Sequence, residues 1–129
     1  MMNKTQVAPH PGRILKNKFL IPLGISGCSV ARQLHIQPGN LNDIILERKR
    51  ITDKMAVRLS HYFNRVSINF WAGIIVDFES DLTGDDLNKA KEAKIKRLLL
   101  LRETMMPLLQ SLPTLPNYEE IFDETKIEV

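Results

Sequence analysis

Amide side chains and a glycine lie close together near the middle of the chain, at Gln37, Gly39, Asn40 and Asn42. Amides both donate and accept hydrogen bonds, and asparagine can form a paired hydrogen bond with adenine. The basic run Arg48, Lys49 and Arg50 follows within a few residues, and such groups bind the phosphates of a nucleic-acid backbone. This combination predicts a surface that contacts base edges and phosphates together.

Two short helices joined by a tight turn are needed to position these residues. Ser26 is a typical helix N-cap, and Pro38 suits the first turn of the next helix. The positions expected to face inward are small or apolar, namely Val30, Ala31, Leu34, Ile36, Leu41 and Ile44. In a helix-turn-helix the second helix enters the major groove of DNA. We therefore expect Gln37, Gly39, Asn40 and Asn42 to contact bases or backbone, with Ser26 and Arg32 assisting from the first helix.

Helical spacing of apolar residues also covers most of the remaining chain, and no stretch alternates as a strand would. The expected helix ends are Pro11, Pro22 and Gly24 for the first helix, and Thr52 or Asp53, then Ser67, for the starts of two later helices. The sequence thus predicts an all-α fold. A five-helix domain spans 10–82, a helical extension spans 83–112, and a flexible tail (1–9) and an acidic tail (113–129) flank them.

The extension is expected to take part in dimer or partner contacts. Its apolar run 98–101 occupies more than one helix face, which indicates packing against both its own domain and a second subunit. Pro107 is expected to kink or divide this helix. The residues predicted to build the dimer interface are Phe70, Trp71, Ile74, Leu98 and Leu101. The acidic tail is either a solvated end or a cover for a basic partner surface.

Charge is distributed unevenly along the 129 residues. Residues 1–66 carry eleven basic and three acidic side chains, whereas residues 67–129 carry seven basic and twelve acidic ones. A basic half favours a polyanionic partner, because each neutralised phosphate releases counterions. The chain has no long uncharged apolar run and no signal-like start, so we expect no membrane span. A single cysteine, Cys28, suits the reducing cytoplasm.

No catalytic or metal site is predicted. His10, His35 and His61 are scattered without the spacing of metal ligands. Cys28 and His35 lack a third group that would orient a catalytic pair. No glycine-rich phosphate loop and no paired carboxylates are evident. We therefore expect neither an enzyme nor a protein that needs a cofactor.

The residues quoted above also resemble a known family. His10-Pro11-Gly12-Arg13-Ile14-Leu15 and Pro22-Leu23-Gly24-Ile25-Ser26 are similar to the opening of HigA- and VapI-type antitoxins, a branch of the phage-repressor-like (XRE) helix-turn-helix proteins. The likeness continues through the segments 31–34, 41–45, 48–52 and 56–63 and ends at Asn69-Phe70-Trp71. The resemblance implies a dimeric repressor of its own operon that also binds and silences a ribonuclease toxin of the HigB kind.

The chain departs from this family at two places. His35 stands where the family usually has a glycine in a left-handed conformation, and histidine tolerates that region better than most residues. Gly27 and Cys28 stand where a glutamine often reaches a phosphate, so one usual DNA contact is expected to be absent. Three interpretations stay open at this point: an antitoxin-repressor, a plain repressor without a toxin, and an interaction protein that has lost DNA binding.

Overall fold

Six helices make up the protein in a computed structural model that describes residues 8–63 and 66–115, and these ranges contain no strand. The first, α1 (11–23), is α-helical over Pro11–Ile14, π-helical over Leu15–Leu20 and α-helical again over Ile21–Leu23. The others are α2 (Gly27–Gln33), α3 (Pro38–Ile45), α4 (Asp53–Tyr62), α5 (Ile68–Glu79) and α6 (Gly84–Ser111). The predicted all-α fold is confirmed. Most of the two expected tails lies outside the described residues.

The π-helical turn in α1 follows from the spacing of its buried side chains. Ile14 and Phe19 are buried, and so are Leu15 and Leu20, so each pair is separated by five residues. A π-helix, in which each N–H bonds five residues back, brings such pairs to one face. The N–H of Ile21 accordingly donates to the carbonyl of Lys16. The sequence pattern predicted a helix here but not its wider turn.

Hydroxyl caps begin three of the helices. The side chains of Ser26, Thr52 and Ser67 each accept a hydrogen bond from the backbone N–H three residues further on. Such caps satisfy donors that a helix start leaves unpaired. Of the two caps expected for the fourth helix, Thr52 is the one used, and Asp53 is the first helical residue.

A single hydrophobic core unites all six helices. Aromatic rings occupy its centre, where Phe19 packs against both Phe63 and Trp71. Leu98, Met105 and Leu109 bring α6 into the same core. The helix predicted as an extension is therefore an integral layer of the domain, covering α4 and α5.

Burial in this core corrects much of the predicted dimer interface. Trp71 and Leu98 have no exposed surface in the protomer, and Ile74 keeps only 6%. Their contacts are already made within one chain, so these three residues have little or no surface left for a dimer contact. Phe70 and Leu101 remain partly exposed. The apolar run of α6 has one further exposed member, Leu100 at 66%.

Pro107 does not divide α6. The helix continues through it to Ser111, so of the two expected effects, a kink or a division, the division is wrong. Pro107 is exposed, and water can bond the carbonyls that a proline leaves unpaired on the solvent side. Leu109 and Leu112 are buried beyond it and hold the last turn against the core. None of the helices in the described parts of the chain has the length and apolar character to cross a membrane.

Candidate nucleic-acid interface

Helices α2 and α3 form the helix-turn-helix that the spacing predicted. Ala31 is fully buried between them, and the N–H of Ile36 donates to the carbonyl of Ala31 at 2.8 Å to close the turn. His35 adopts the left-handed conformation with φ of 56°, as its place in the family pattern implies. The guanidinium of Arg58, on α4, donates to the carbonyl of His35 at 3.2 Å. This contact braces a turn that a non-glycine residue strains.

The first residues of α2 and α3 enclose a hollow of about 580 Å³. Ser26, Gly39 and Asn42 line it, together with Gly27 and Cys28. At Gly27 there is little room for a larger side chain, since a Cβ there would lie 2.5 Å from the Cδ1 atom of Ile45. Arg32 lies beside Cys28, with its Nη1 atom 3.9 Å from Sγ. Three of the predicted contact residues therefore line this one hollow.

The outer face of α3 is polar and open. We call Gln37, Gly39, Asn40 and Asn42 the reading surface, and all four are exposed. Leu41 and Ile44 point the other way and are buried at 0% and 2% exposure. This division of the helix leaves the amides free to approach a partner while the apolar side anchors α3 to the core.

The basic loop that follows α3 is partly paired with acidic groups. Asp43 lies 3.8 Å from the Nη1 atom of Arg48 and 3.6 Å from the Nζ atom of Lys49. The Nζ atom of Lys49 also donates to the amide oxygen of Asn40 at 3.0 Å. Both basic side chains are more than half exposed. Two of the three predicted phosphate contacts are thus brought directly to the reading surface.

Arg50 is placed elsewhere. It lies 3.9 Å from Glu79 on α5 and lines a second hollow, of about 440 Å³, with Lys54, Lys94 and Arg97. Asp53 is the acidic residue among these cations, and its carboxylate forms ion pairs with Lys94 and Arg97. Burial raises the pKa of the Asp53 carboxyl, but the hydrogen bonds and charges of these two cations outweigh it and lower that pKa below its ordinary value.

Three residues that the sequence reasoning gave no role hold the end of α3 in place. Gly12 packs so closely on α3 that a Cβ there would lie 1.8 Å from the carbonyl oxygen of Ile44. Arg13 forms a paired ion contact with Glu47, at 2.9 and 3.0 Å. Glu47 itself has a positive φ of 65° in the turn after α3. The pairing raises the pKa of Arg13 and lowers the pKa of Glu47.

His10 lies at the start of α1, beside Gly12 and Arg13, and makes two contacts of its own. Its Nδ1 atom accepts the N–H of Gly12 at 2.9 Å and so caps α1, while its ring packs edge-on against Phe78 at 4.8 Å between centroids. Burial lowers the pKa of the His10 imidazole, although the Glu47 carboxylate acts in the opposite direction. A local signal for this role exists, since a polar side chain before Pro-Gly suits a cap. Its partner Glu47 is too distant in sequence to be foreseen.

The three histidines and the one cysteine do not come together. Within residues 8–63 and 66–115, no group of three or more histidine, cysteine or acidic side chains could hold a metal ion. His61 instead contacts the carbonyl of Leu112 at 2.9 Å and ties α4 to the end of α6. In the described parts of the chain, the candidate site is therefore the helix-turn-helix. This motif places the protein in the class of helix-turn-helix proteins.

Comparisons with known proteins extend this result. Virulence-associated protein I of Dichelobacter nodosus is 43% identical over 56 residues, which cover 43% of this chain and 52% of that protein. Virulence-associated protein A of the same organism is 34% identical over 70 residues, covering 54% of this chain and 69% of that one. The matched part thus spans only about half the length of the first relative. No protein-family model matches the chain.

A solved structure has a similar fold and a related sequence. The Pseudomonas aeruginosa antitoxin HigA, solved with the higBA promoter, superposes with a TM-score of 0.52 at 33% identity, covering 70% of this chain and 89% of that one. Virulence-associated protein A and the antitoxin HigA are each more than 30% identical to this chain, and each match covers more than two thirds of the other protein. This shows a common family. The chain belongs to the HigA- and VapI-type antitoxin family of phage-repressor-like helix-turn-helix proteins.

Proposed function

We propose that this protein binds operator DNA through α3 and represses transcription, and that it also acts as the antitoxin of a ribonuclease toxin. The observation that carries the DNA-binding part is the exposed reading surface of α3 with Arg48 and Lys49 beside it. Exposed amides at the start of a recognition helix suit base edges, and adjacent cations suit phosphates. The HigA complex with its promoter supports the same use of this fold.

We further propose that the protein acts as a homodimer. Two copies would place their α3 helices in successive major grooves, about 34 Å apart, on a palindromic operator. Phe70 and Leu101 stay in this proposal because both keep exposed surface, and Leu100 joins them at 66% exposure. Sedimentation or light scattering of the free protein tests it, and a strict monomer both free and on DNA would contradict it.

The antitoxin part of the proposal depends on family membership. The decisive experiment is co-purification with the product of the neighbouring gene, followed by a gel shift with the DNA upstream of the pair. A complex that retards this DNA supports both parts. Retardation without a protein partner leaves a plain repressor, and a partner without retardation leaves a scaffold that has lost DNA binding.

Substitution of Asn40 tests the reading surface directly. Asn40→Ala is expected to weaken binding to the operator by about 1–3 kcal/mol and to relax the base preference at one position. Replacement of Arg48 by Met is the matched control, since loss of a phosphate contact weakens all duplexes alike and reduces the salt dependence of binding. Titrations on operator and random duplex at several salt concentrations distinguish the two. Equal loss on both duplexes for Asn40→Ala would contradict its role in base reading.

A further inference from the structure

The amide of Asn40 has a fixed orientation. Its Oδ1 atom accepts a hydrogen bond from the Nζ atom of Lys49 at 3.0 Å. An ammonium group has donors only, so it selects the oxygen and leaves the Nδ2 amino group of Asn40 available to donate. Asp43 holds the same ammonium from its other side, with 3.6 Å between Nζ and Oδ2. The side chains of Asn40, Lys49 and Asp43 therefore form one connected set on the reading surface.

This orientation changes which base fits. Paired recognition of adenine requires an amide that donates to N7 and accepts from the N6 amino group. Here the Oδ1 atom of Asn40 already accepts from a positively charged donor. Its second lone pair is still open, but the ammonium beside it repels the partly positive hydrogens of adenine's amino group. Guanine offers two acceptors, N7 and O6, on its major-groove edge. The Nδ2 amino group of Asn40 and a remaining N–H of Lys49 could together supply two donors to that edge.

The acidic partner also argues against a simple phosphate contact for Lys49. The carboxylate at 3.6 Å and the hydrogen bond to Asn40 together hold the ammonium of Lys49 at the reading surface. Arg48 lies 3.8 Å from the other oxygen of the same carboxylate, and 69% of its side chain is exposed, against 55% for Lys49. Arg48 is therefore the better placed of the two for the backbone, and Lys49 is left for the bases.

We infer that Lys49 is a specificity-determining residue that orients Asn40, and that the Asn40–Lys49 pair reads guanine in the major groove. This inference rests on the proposed function, because it takes α3 to be the recognition helix. It makes the sequence prediction more specific for both residues: Asn40, expected to contact bases or backbone, is assigned to guanine, and Lys49, expected to bind phosphate, is assigned to the bases as well.

The test is selection from a library of random duplexes with the full-length protein and two variants. The native protein is expected to select a guanine at a fixed position of each half-site, preferred roughly tenfold over adenine. Lys49→Met frees the Asn40 oxygen, so this variant is expected to bind more weakly and to shift that position toward adenine. Arg48→Met is the matched control and is expected to lose affinity while keeping guanine. Both side chains are largely exposed, so circular dichroism should find both variants folded.

A chemical probe gives an independent measurement. Replacement of the selected guanine by 7-deazaguanine removes the N7 acceptor and is expected to weaken native binding several-fold, with little effect on Lys49→Met. Adenine at the position in the native selection, or guanine retained by Lys49→Met, would overturn the inference and leave the proposed DNA binding intact. Enrichment of no duplex by the native protein would overturn the proposed function and this inference with it.

Discussion

At the scale of single residues, His10 shows how a short motif can act over a long distance. Its imidazole caps α1 through the N–H of Gly12 and packs on Phe78, beside the Arg13–Glu47 ion pair. Because Nδ1 is the acceptor, the ring must be neutral, with its proton on Nε2. Protonation of Nδ1 would therefore remove the cap of α1.

The lowered pKa of His10 predicts a pH dependence of stability. Since the folded state disfavours the proton, the stabilisation is complete above the unfolded pKa of about 6.5 and is lost as the pH falls through the folded value. Urea unfolding should therefore show a lower free energy at pH 5.5 than at pH 7.5. His10→Asn keeps a capping acceptor but cannot titrate, and its unfolding should depend less on pH. An unchanged dependence in this variant would contradict the prediction.

Gly12 gives a second prediction at this scale. A methyl group there would collide with the backbone of Ile44, which cannot move aside without shifting α3. Gly12→Ala should therefore lower the free energy of unfolding by about 3 kcal/mol. Gly73, within α5, has no atom within 4 Å of the corresponding Cβ. Gly73→Ala is the matched control and should stabilise the protein by about 1 kcal/mol, since alanine favours helices. Thermal unfolding of both variants measures the difference.

Local signals made some residues predictable and left others out. The caps Ser26, Thr52 and Ser67 were expected because a cap and its N–H lie only three residues apart. The reading surface was expected because, at helical spacing, the apolar residues Leu41 and Ile44 share one face of α3 and leave the polar residues on the other. The clamp of Arg13 on Glu47 and the brace of Arg58 on His35 connect residues 34 and 23 positions apart. No local pattern in one sequence encodes such pairs.

At the scale of elements, α6 is the layer that the sequence placed least accurately. Its apolar stripe was recognised, but the stripe alone does not say whether the surface it faces belongs to the same chain or to another. The structure shows α6 on α4 and α5, with Lys94 and Arg97 of α6 paired to Asp53 at the start of α4. The π-helical turn of α1 and the continuation of α6 past Pro107 also depend on packing that no local rule contains.

Two leucines of α6 provide a matched test of this packing. Leu98 is fully buried and Leu100 is 66% exposed, on the same helix two residues apart. Leu98→Ala should lower the free energy of unfolding by about 3 kcal/mol, because it removes core contacts and leaves a cavity. In the monomeric protein, Leu100→Ala should change stability by less than about 0.5 kcal/mol. Chemical denaturation of both variants is the measurement, and similar losses would show that α6 is not packed as described.

At the scale of the whole molecule, charge varies from element to element, whereas the hydrophobic core is shared by all of them. Arg48 and Lys49 flank the reading surface, whereas the acidic side chains Asp85 and Asp86 begin α6. The uneven charge read from the sequence thus corresponds to different elements of one domain. The boundary predicted near residue 82 separates no independent unit, since one core crosses it. Composition can indicate the uneven charge, but only the packing shows that the residues before and after position 82 share one core.

The shared core has a consequence for turnover in the cell. Leu41 of α3 and Leu98 of α6 belong to one cluster, so the helices should open together. A ligand at 100 times its dissociation constant stabilises the folded state by about 2.7 kcal/mol, and DNA held by α3 should then slow protease cleavage within α6. Limited proteolysis with and without operator duplex measures this protection. Under the proposed function, molecules free of DNA would be degraded first, so the lifetime of the protein would depend on the fraction that is bound to DNA.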